Sequence, residues 1–464
     1  MKLPNEFIEK YQTILKDEAE AFFDSFEQKP ISAYRTNPLK EKQLDFPNAI
    51  PSTPWGHYGK ISGKSIEHTT GLVYSQEPAA QIVAQIAEPQ EGMKVLDLAA
   101  APGGKTTHLL SYLNNTGLLV SNEISNKRSK ILVENVERFG ARNVIVTNES
   151  SQRLAKCFNS FFDLIVFDGP CSGEGMFRKD PQAIQYWHKD YPTECAQLQR
   201  DILKEAIKML AHGGILVYST CTWSPEENEE VVNWLLQEYD YLELVDIPKL
   251  NGMVEGINVP QVARMYPHHF QGEGQFVAKL RDTRSKEAQK IKPKAQKIKP
   301  KAQKIKPKAQ KIKPKAQKIK PKAQKINKMQ LQLWQQFAQD HLKIDLNGVL
   351  DVFGDQLYLL PNGLPDLSKL KIARNGLHLG TFKKNRFEPS FALGMALSEH
   401  DLVQSIEIDI EQFEVYVSGN VVKLDKTVPN GWYQILVKGN GLGFAKVTNN
   451  TLKNYYPKGL RFQT

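Results

Sequence analysis

The sequence is poor in cysteine: four residues in 464, Cys157, Cys171, Cys195 and Cys221, with no CxxC pair among them. That leaves no disulfide framework and no paired-thiol zinc site, and no metal is expected. No apolar run reaches the 18 or more residues of a membrane span. The N-terminus also lacks the basic-then-apolar pattern of a secretion signal. A cytoplasmic protein without a membrane segment is therefore expected. Acidic residues are missing from one stretch only. Between Ala288 and Ile326 there are 16 lysines and no Asp or Glu, and without these lysines the formal charge of +10 becomes −6. The basic balance belongs to a single tract and is no argument for nucleic acid by itself.

That tract is a repeat, AQKIKPK, five times from Ala288 to Lys322. A proline every seventh residue forbids a continuous helix, and one Ile per repeat cannot make a coiled-coil seam. An extended, self-repelling linker over residues 284–327 is expected, acting as a solvated spacer. The alternative is a polycation that holds RNA phosphates loosely and releases them with salt.

On either side of the tract the patterning differs. Before it, apolar runs at Lys94–Ala100, Leu118–Glu123, Val144–Asn148, Asp163–Asp168 and Ile215–Cys221 alternate with helical stretches such as Lys127–Phe139 and Gln197–Leu210. This predicts an α/β fold, a Rossmann-like doubly wound parallel sheet, with Gln275–Leu280 as a late extra strand. The spacing of Phe7, Tyr11, Ile14, Leu15, Phe22 and Phe26 predicts an amphipathic helix over Phe7 to Phe26. After the tract, Met329–Leu342 reads as a helix. Short runs at Phe413–Val417 and Tyr433–Val437, with Asn430-Gly431 and Gly439-Asn440-Gly441 turns, read as a β-rich module or two.

The first strand runs into Ala99-Ala100-Ala101-Pro102-Gly103-Gly104-Lys105, and a helix follows. In an open α/β sheet, ligands bind beyond the carboxyl ends of the strands, at this first strand-to-helix turn. Gly103 and Gly104 permit close backbone approach, and the helix N-terminus offers free N–H groups. Glu123, closing the second strand, is placed to accept from both hydroxyls of a ribose. A phosphate-binding P-loop is the nearest look-alike, but Ala100 stands where its first glycine is required; the dinucleotide pattern GxGxxG is absent. A structural glycine turn remains the plain alternative.

The fourth and fifth strands end in Asp168-Gly-Pro-Cys171-Ser-Gly and Ser219-Thr-Cys221-Thr222, so two thiols stand past adjacent strand ends. Carbon 5 of cytosine is a poor nucleophile. A thiolate adding at carbon 6 makes it enamine-like and able to take a methyl group from a sulfonium. Asp168 is placed to protonate N3 if the closed site raises its pKa. The plain alternative is a small buried hydrophobe, which is the expected state of Cys157 and Cys195. His188, His212, His268 and His269 fall in no catalytic pairing.

With these residues in place, the sequence resembles the Nol1/Nop2/Sun family of RNA cytosine-5 methyltransferases, in its bacterial branch acting on small-subunit ribosomal RNA. The likeness covers nearly the whole chain. Leu98–Lys105 resembles the family's cofactor loop, Asp168–Arg178 its proline-cysteine motif and Thr220–Thr222 its nucleophile motif. The resemblance implies S-adenosylmethionine as cofactor, held by Ala99, Ala100, Ala101, Pro102, Gly103, Gly104, Lys105, Glu123, Glu149 and Asp168. It implies Cys221 as the attacking nucleophile, Cys171 as the group assisting release, and Asp168 lining the methyl pocket. Two positions depart from the family pattern: Gly169 stands where Ala is common, and Glu149 where Asp is common at the adenine end, which shifts that contact toward Asn148. Residues 1–70 resemble an RNA-side α+β extension, 71–283 the methyltransferase domain, 328–400 a C-terminal α+β module and 401–464 a PUA-like RNA-binding domain. Arg178, Lys383, Lys384 and Arg386 are the expected RNA contacts. The last three, beside Phe382 and Phe387, combine phosphate neutralisation with stacking surfaces; a charged turn flanked by core aromatics is the alternative. A monomer acting on ribosomal RNA is expected. The same chemistry on transfer RNA, or a non-catalytic RNA-binding protein on this scaffold, are the other readings.

Overall fold

The computed structural model describes residues 1–40, 45–51, 53–285 and 323–463. The AQKIKPK repeat at 288–322 lies outside the described residues, and with it the expectation of a spacer or an RNA-holding polycation.

The N-terminal stretch is helical but broken. Helix α1 (Asn5–Leu15) stops at Lys16, whose φ of 51° leaves the helical region. A 3-10 turn (Lys16–Glu18) leads into α2 (Ala19–Asp24). The bend folds Phe22 back onto Tyr11, with ring centroids 5.3 Å apart. Phe7, Tyr11, Phe22 and Phe26 then share one core with Phe177, Trp187, Trp223 and Tyr266 of the next domain. The amphipathic helix expected over Phe7 to Phe26 is broken at Lys16, and the bend gathers its apolar residues into this aromatic cluster. A three-stranded antiparallel sheet follows, with Ala33–Thr36 between Gly56–Tyr58 and Val73–Ser75.

The doubly wound sheet forms as expected. Strands β1 (Lys94–Asp97), β2 (Leu118–Asn122), β3 (Val144–Thr147), β4 (Phe162–Asp168) and β5 (Leu210–Thr220) run parallel in the order β3-β2-β1-β4-β5. Alternate residues feed opposite cores: Val120, Ile145 and Ile165 one, Leu119, Val146 and Val166 the other. Burial on both faces is why these strands are unbroken apolar runs rather than alternating ones. Strands β6 (Leu242–Val245), β7 (Val259–Met265) and β8 (Gln275–Asp282) extend the β5 edge, with β8 antiparallel to β5 and to both other strands. Helix α3 (Gly104–Leu113) follows β1. Helix α4 (Asn126–Phe139) follows β2, capped by the Ser125 side chain and stopped at Gly140 in the left-handed region. Helix α5 (Tyr191–Met209) packs beneath β4 and β5.

After the repeat come α6 (Lys328–His341), a five-stranded sheet of 323–389, α7 (Phe391–Ala396) and a second five-stranded sheet. One expectation is overturned: Phe413–Val417 lies in helix α8 (Ile410–Val417). Asp409 and Gln412 form a capping box there, and Phe413, Tyr416 and Val417 are buried at helical spacing. A five-residue run with one charged position fits either period, and the cap decides it. Residues Ile372–Arg374 leave the C-terminal part to pair antiparallel with β3.

Candidate active site

The turn after β1 is locked across the sheet. Leu98 N donates to Val166 O (3.0 Å) and Ala100 N to Asn122 O (2.8 Å). Ala100 and Ala101 are buried, Pro102 O accepts from Asn135 Nδ2 (2.7 Å), and Ala101 O accepts from Arg128. Gly103 caps α3 at φ 118°, a conformation that favours glycine. From the N-terminal domain, Arg35 Nη2 donates to Gly104 O (2.9 Å) and Thr107 Oγ1 (2.8 Å) and so braces the turn from behind. Asp97, at the end of β1, is fully buried. One of its oxygens accepts from Thr106 Oγ1 (2.6 Å), the other has no protein partner, and burial pushes the carboxyl up to about 7. An unpartnered buried carboxylate oxygen beside a glycine turn fits a ligand that brings a donor.

Glu123 follows β2 directly. Its Oε1 accepts from Ser125 N (2.7 Å) and its Oε2 lies 3.7 Å from Arg128. Glu149 accepts from Lys371 N (2.7 Å) and pairs with Arg153 (3.0 Å). The Asn148 amide is committed to Glu123 O (2.6 Å) and Ile124 O (2.9 Å), which leaves Glu149 as the carboxylate at this strand end.

The two cysteine loops lie side by side because β4 and β5 pair in register, Asp168 opposite Ser219. Cys171 Sγ and Cys221 Sγ are 3.2 Å apart. The hydrogen bond to Cys221, then burial, then the neighbouring Cys221 charge hold the Cys171 thiol well above its ordinary pKa. Asp168 accepts from Lys105 Nζ (2.6 Å), Ser219 Oγ (2.7 Å) and Gln275 Nε2 (3.1 Å). Burial opposes the Lys105 charge, but Asp168 and Cys221 outweigh it and raise the ammonium's pKa. Asp168 is thus arranged as an acceptor. The group beside it with protons to give is Lys105, which qualifies the expectation that Asp168 itself protonates N3.

The remaining expected residues are scattered. Arg178 is buried, its guanidinium bound to Glu273 (2.9 and 3.0 Å), Gly272 O (2.9 Å) and Ser25 O (3.0 Å). It braces the N-terminal helices against the β7–β8 loop and does not present a phosphate contact on the surface. Lys383, Lys384 and Arg386 are exposed on a hairpin, with Arg386 paired to Glu388 (2.8 Å). Phe382 and Phe387 are core residues there, so the expected stacking surfaces are absent at those two positions. Cys195 is buried, while Cys157 is half-buried with its Sγ 3.4 Å from Asp366 O. His268 and His269 do meet, their Nε2 atoms 3.3 and 2.9 Å from Glu18. Among the described residues, no helix is long and apolar enough to cross a membrane.

Ser219, Gln275, Asp97 and Lys371 were not singled out in the sequence. Ser219 had a signal, two residues before Cys221 on the same strand end. Gln275 and Lys371 arrive through pairings remote in sequence and had none.

Comparison with known proteins agrees with this geometry. A family model described as 16S rRNA methyltransferase RsmB/F matches residues 84–281. Models for the RsmF N-terminal domain, first C-terminal domain and PUA domain match 3–78, 336–397 and 403–462. The ribosomal RNA small subunit methyltransferase F of Shewanella loihica is 32% identical, over 94% of this chain and 91% of its own length. The chain belongs to the RsmF family of RNA methyltransferases. The protein of the same description from Vibrio campbellii is 29% identical over 99% of this chain and 97% of its own. A solved methyltransferase homologue from Pyrococcus horikoshii is 29% identical with a TM-score of 0.52, covering 59% of this chain and 93% of that one. The class I methyltransferase core and the C-terminal PUA domain are therefore both present.

Proposed function

We propose that this chain transfers a methyl group from S-adenosylmethionine to carbon 5 of a cytosine in 16S ribosomal RNA through a covalent Cys221–carbon 6 adduct. The carrying observation is the pair of thiols 3.2 Å apart at adjacent strand ends, beside the Lys105–Asp168 pair.

The residues present fit the methyl donor. Glu123 would hold the ribose hydroxyls and Glu149 the adenine end. The main chain of Ala99, Ala100, Ala101, Pro102, Gly103 and Gly104 and the α3 N-terminus would hold its amino-acid end, with Asp168 and Lys105 lining the methyl side. When bound, it supplies a methyl group activated on a sulfonium.

The chain's own groups do the rest. The two sulfurs lie 3.2 Å apart, close enough for the Cys171 S–H to donate to the Cys221 sulfur and so favour Cys221 as the attacking thiolate once its own proton has passed to solvent. Cys221 sulfur adds to carbon 6 while the Asp168–Lys105 pair provides proton and charge at N3, and carbon 5 becomes nucleophilic. Once Cys221 is a thioether, its hydrogen bond and charge no longer hold the Cys171 proton. Cys171 gives that proton up to solvent and, as a thiolate, takes the carbon 5 proton. The C5–H electrons restore the carbon 5–carbon 6 double bond, Cys221 leaves carbon 6 as a thiolate, and the N3 proton returns to the Asp168–Lys105 pair. The same geometry serves for transfer RNA; the descriptions of the relatives and the PUA domain favour the ribosomal substrate. A non-catalytic role leaves the two aligned thiols without a purpose. A cytoplasmic monomer acting on RNA remains the proposed setting.

Bisulfite sequencing of ribosomal and transfer RNA from cells carrying the wild-type chain or Cys221→Ala tests this reading. The expected result is a 16S cytosine that stays protected only with the wild-type chain. A protected transfer-RNA cytosine instead, or protection that survives Cys221→Ala, overturns it.

A further inference from the structure

Beneath the two thiols lies a polar network that the chemistry above leaves unused, and it begins in the N-terminal domain. Glu174, three residues after Cys171, is fully buried. Its carboxylate accepts from Tyr11 Oη, from Thr222 Oγ1 (2.7 Å) and from Trp187 Nε1 (3.0 Å), with Lys10 Nζ 3.8 Å away. Three donors converging on one carboxylate in a dry site leave it a single stable arrangement.

Both cysteine loops hang from this carboxylate. Thr222 follows Cys221 and has one hydroxyl proton, which it gives to Glu174. Ser172, which follows Cys171, must therefore donate to Thr222 across the 2.9 Å between their hydroxyl oxygens. The chain of bonds runs Ser172 to Thr222 to Glu174, linking the residues next to each thiol. Gly175 N also donates to Cys221 O (2.9 Å), and a Cβ at Gly175 would sit 2.8 Å from that oxygen, so the Glu174 turn presses directly on the nucleophile's backbone. Tyr11 closes the network from outside the methyltransferase domain. Burial, then the Glu174 charge, raise its phenol well above its ordinary pKa, so it remains a donor. Lys10, on the same helix, bonds Ser224 Oγ (2.7 Å), three residues past Cys221.

We propose that Tyr11 and Glu174 are positioning residues for the reactive thiol pair, so that docking of the N-terminal helix sets the attack geometry of Cys221. This rests on Cys221 being the nucleophile. The consequence is that the N-terminal domain contributes to the rate of adduct formation as well as to folding.

The test uses the full chain and a 16S transcript carrying 5-fluorocytidine, on which the adduct persists because fluorine cannot leave carbon 5 as a cation. Adduct formation is timed at saturating RNA and S-adenosylmethionine for wild type, Tyr11→Phe, Glu174→Gln, the double variant and Phe7→Leu. Phe7→Leu loosens the same aromatic core without touching a hydrogen bond. Tyr11→Phe is expected to slow adduct formation about tenfold, the scale of one lost bond to a charged group, with cofactor affinity and KM for RNA unchanged. Glu174→Gln is expected to slow it further, with the double variant no slower than Glu174→Gln alone, since both act through one network. Phe7→Leu is expected to lower the melting temperature and keep the rate. A Tyr11→Phe rate equal to wild type, or a Phe7→Leu rate that falls as far as that of Tyr11→Phe, overturns the proposal alone. A wild-type chain that forms no adduct overturns the cytosine chemistry and the proposal with it.

Discussion

The methyltransferase domain meets its neighbours at two seams built on different physics. The N-terminal seam centres on an aromatic cluster, with Arg35 and Arg178 bracing it from either side. Phe7, Tyr11, Phe22 and Phe26 pack with Phe177, Trp187, Trp223 and Tyr266, and Trp223 lies two residues past Cys221. The C-terminal seam carries, beside the packing of Leu364, Leu367 and Leu370, cations donating across it: Arg142 to Ala396 O (3.0 Å) and to the Asp401 carboxylate (2.9 Å), and Arg374 to Val144 O (2.9 Å), with Lys40 of the N-terminal domain adding a bond to Met395 O (2.6 Å). Apolar packing is non-directional and strong per residue, whereas these hydrogen bonds are directional and individually modest. The first seam presses on the reactive loops. The second fixes the C-terminal modules beside β3, where Lys371 reaches Glu149. One seam is therefore wired to the thiols and the other to the far end of the cofactor crevice.

Substitutions can break this contrast, and their expected effects fall in a clear order. Cys221→Ala leaves both seams intact and should lower methyl transfer by about three orders of magnitude or more, measured as methyl incorporation with labelled cofactor. Phe22→Ala, in the N-terminal seam, should cost about 3–5 kcal/mol in denaturant unfolding and, by undocking the helix that brings Tyr11 to Glu174, which Phe7→Leu leaves docked, reduce turnover as well. Arg142→Ala, in the C-terminal seam, should cost about 1–3 kcal/mol and weaken cofactor or RNA binding while single-turnover chemistry at saturation stays intact. Equal losses of chemistry from the two seams would erase the distinction.

Glu227 offers a sharper probe under the thiols, where it accepts from Ser172 N (3.0 Å) and Gln199 Nε2 (2.8 Å). Burial pushes this carboxyl from 4.5 to about 8. Between those values the folded chain keeps a proton that the unfolded chain has lost, so stability falls as pH rises through this window and levels off above it. Glu227→Gln should flatten that part of the melting-temperature profile. The smallest effect is expected at the exposed hairpin: Lys383→Ala with Arg386→Ala should reduce the salt slope of RNA binding by about one per lost phosphate contact, and an unchanged slope would remove the hairpin from the RNA surface.

The placement of the candidate site's residues was largely legible in the sequence because its parts are local. Asp168, Cys171, Cys221 and the Ala99–Lys105 turn each sit at the end of a buried strand, and a long apolar run betrays such a strand. What was not legible is long-range. Tyr11 and Glu174 are 163 residues apart, and nothing at either position marks the bond. Arg178 read as a surface cation within a motif, yet Glu273, distant in sequence, draws it inside. Phe382 and Phe387 read equally as stacking platforms or core, and only the packing of α6 and the following sheet makes them core. Phe413–Val417 was too short for its period to decide, and its cap lay just outside the run.

In the proposed reaction the Cys221 sulfur, with Cys171 beside it, is the atom that bonds to RNA. The most direct test of this is peptide mapping by mass spectrometry of the Cys171→Ala chain after incubation with 16S ribosomal RNA and S-adenosylmethionine. The expected result is a stable adduct joining the Cys221 peptide to a methylated cytosine. A variant that turns over like wild type without an adduct, or an adduct on another residue, would contradict it.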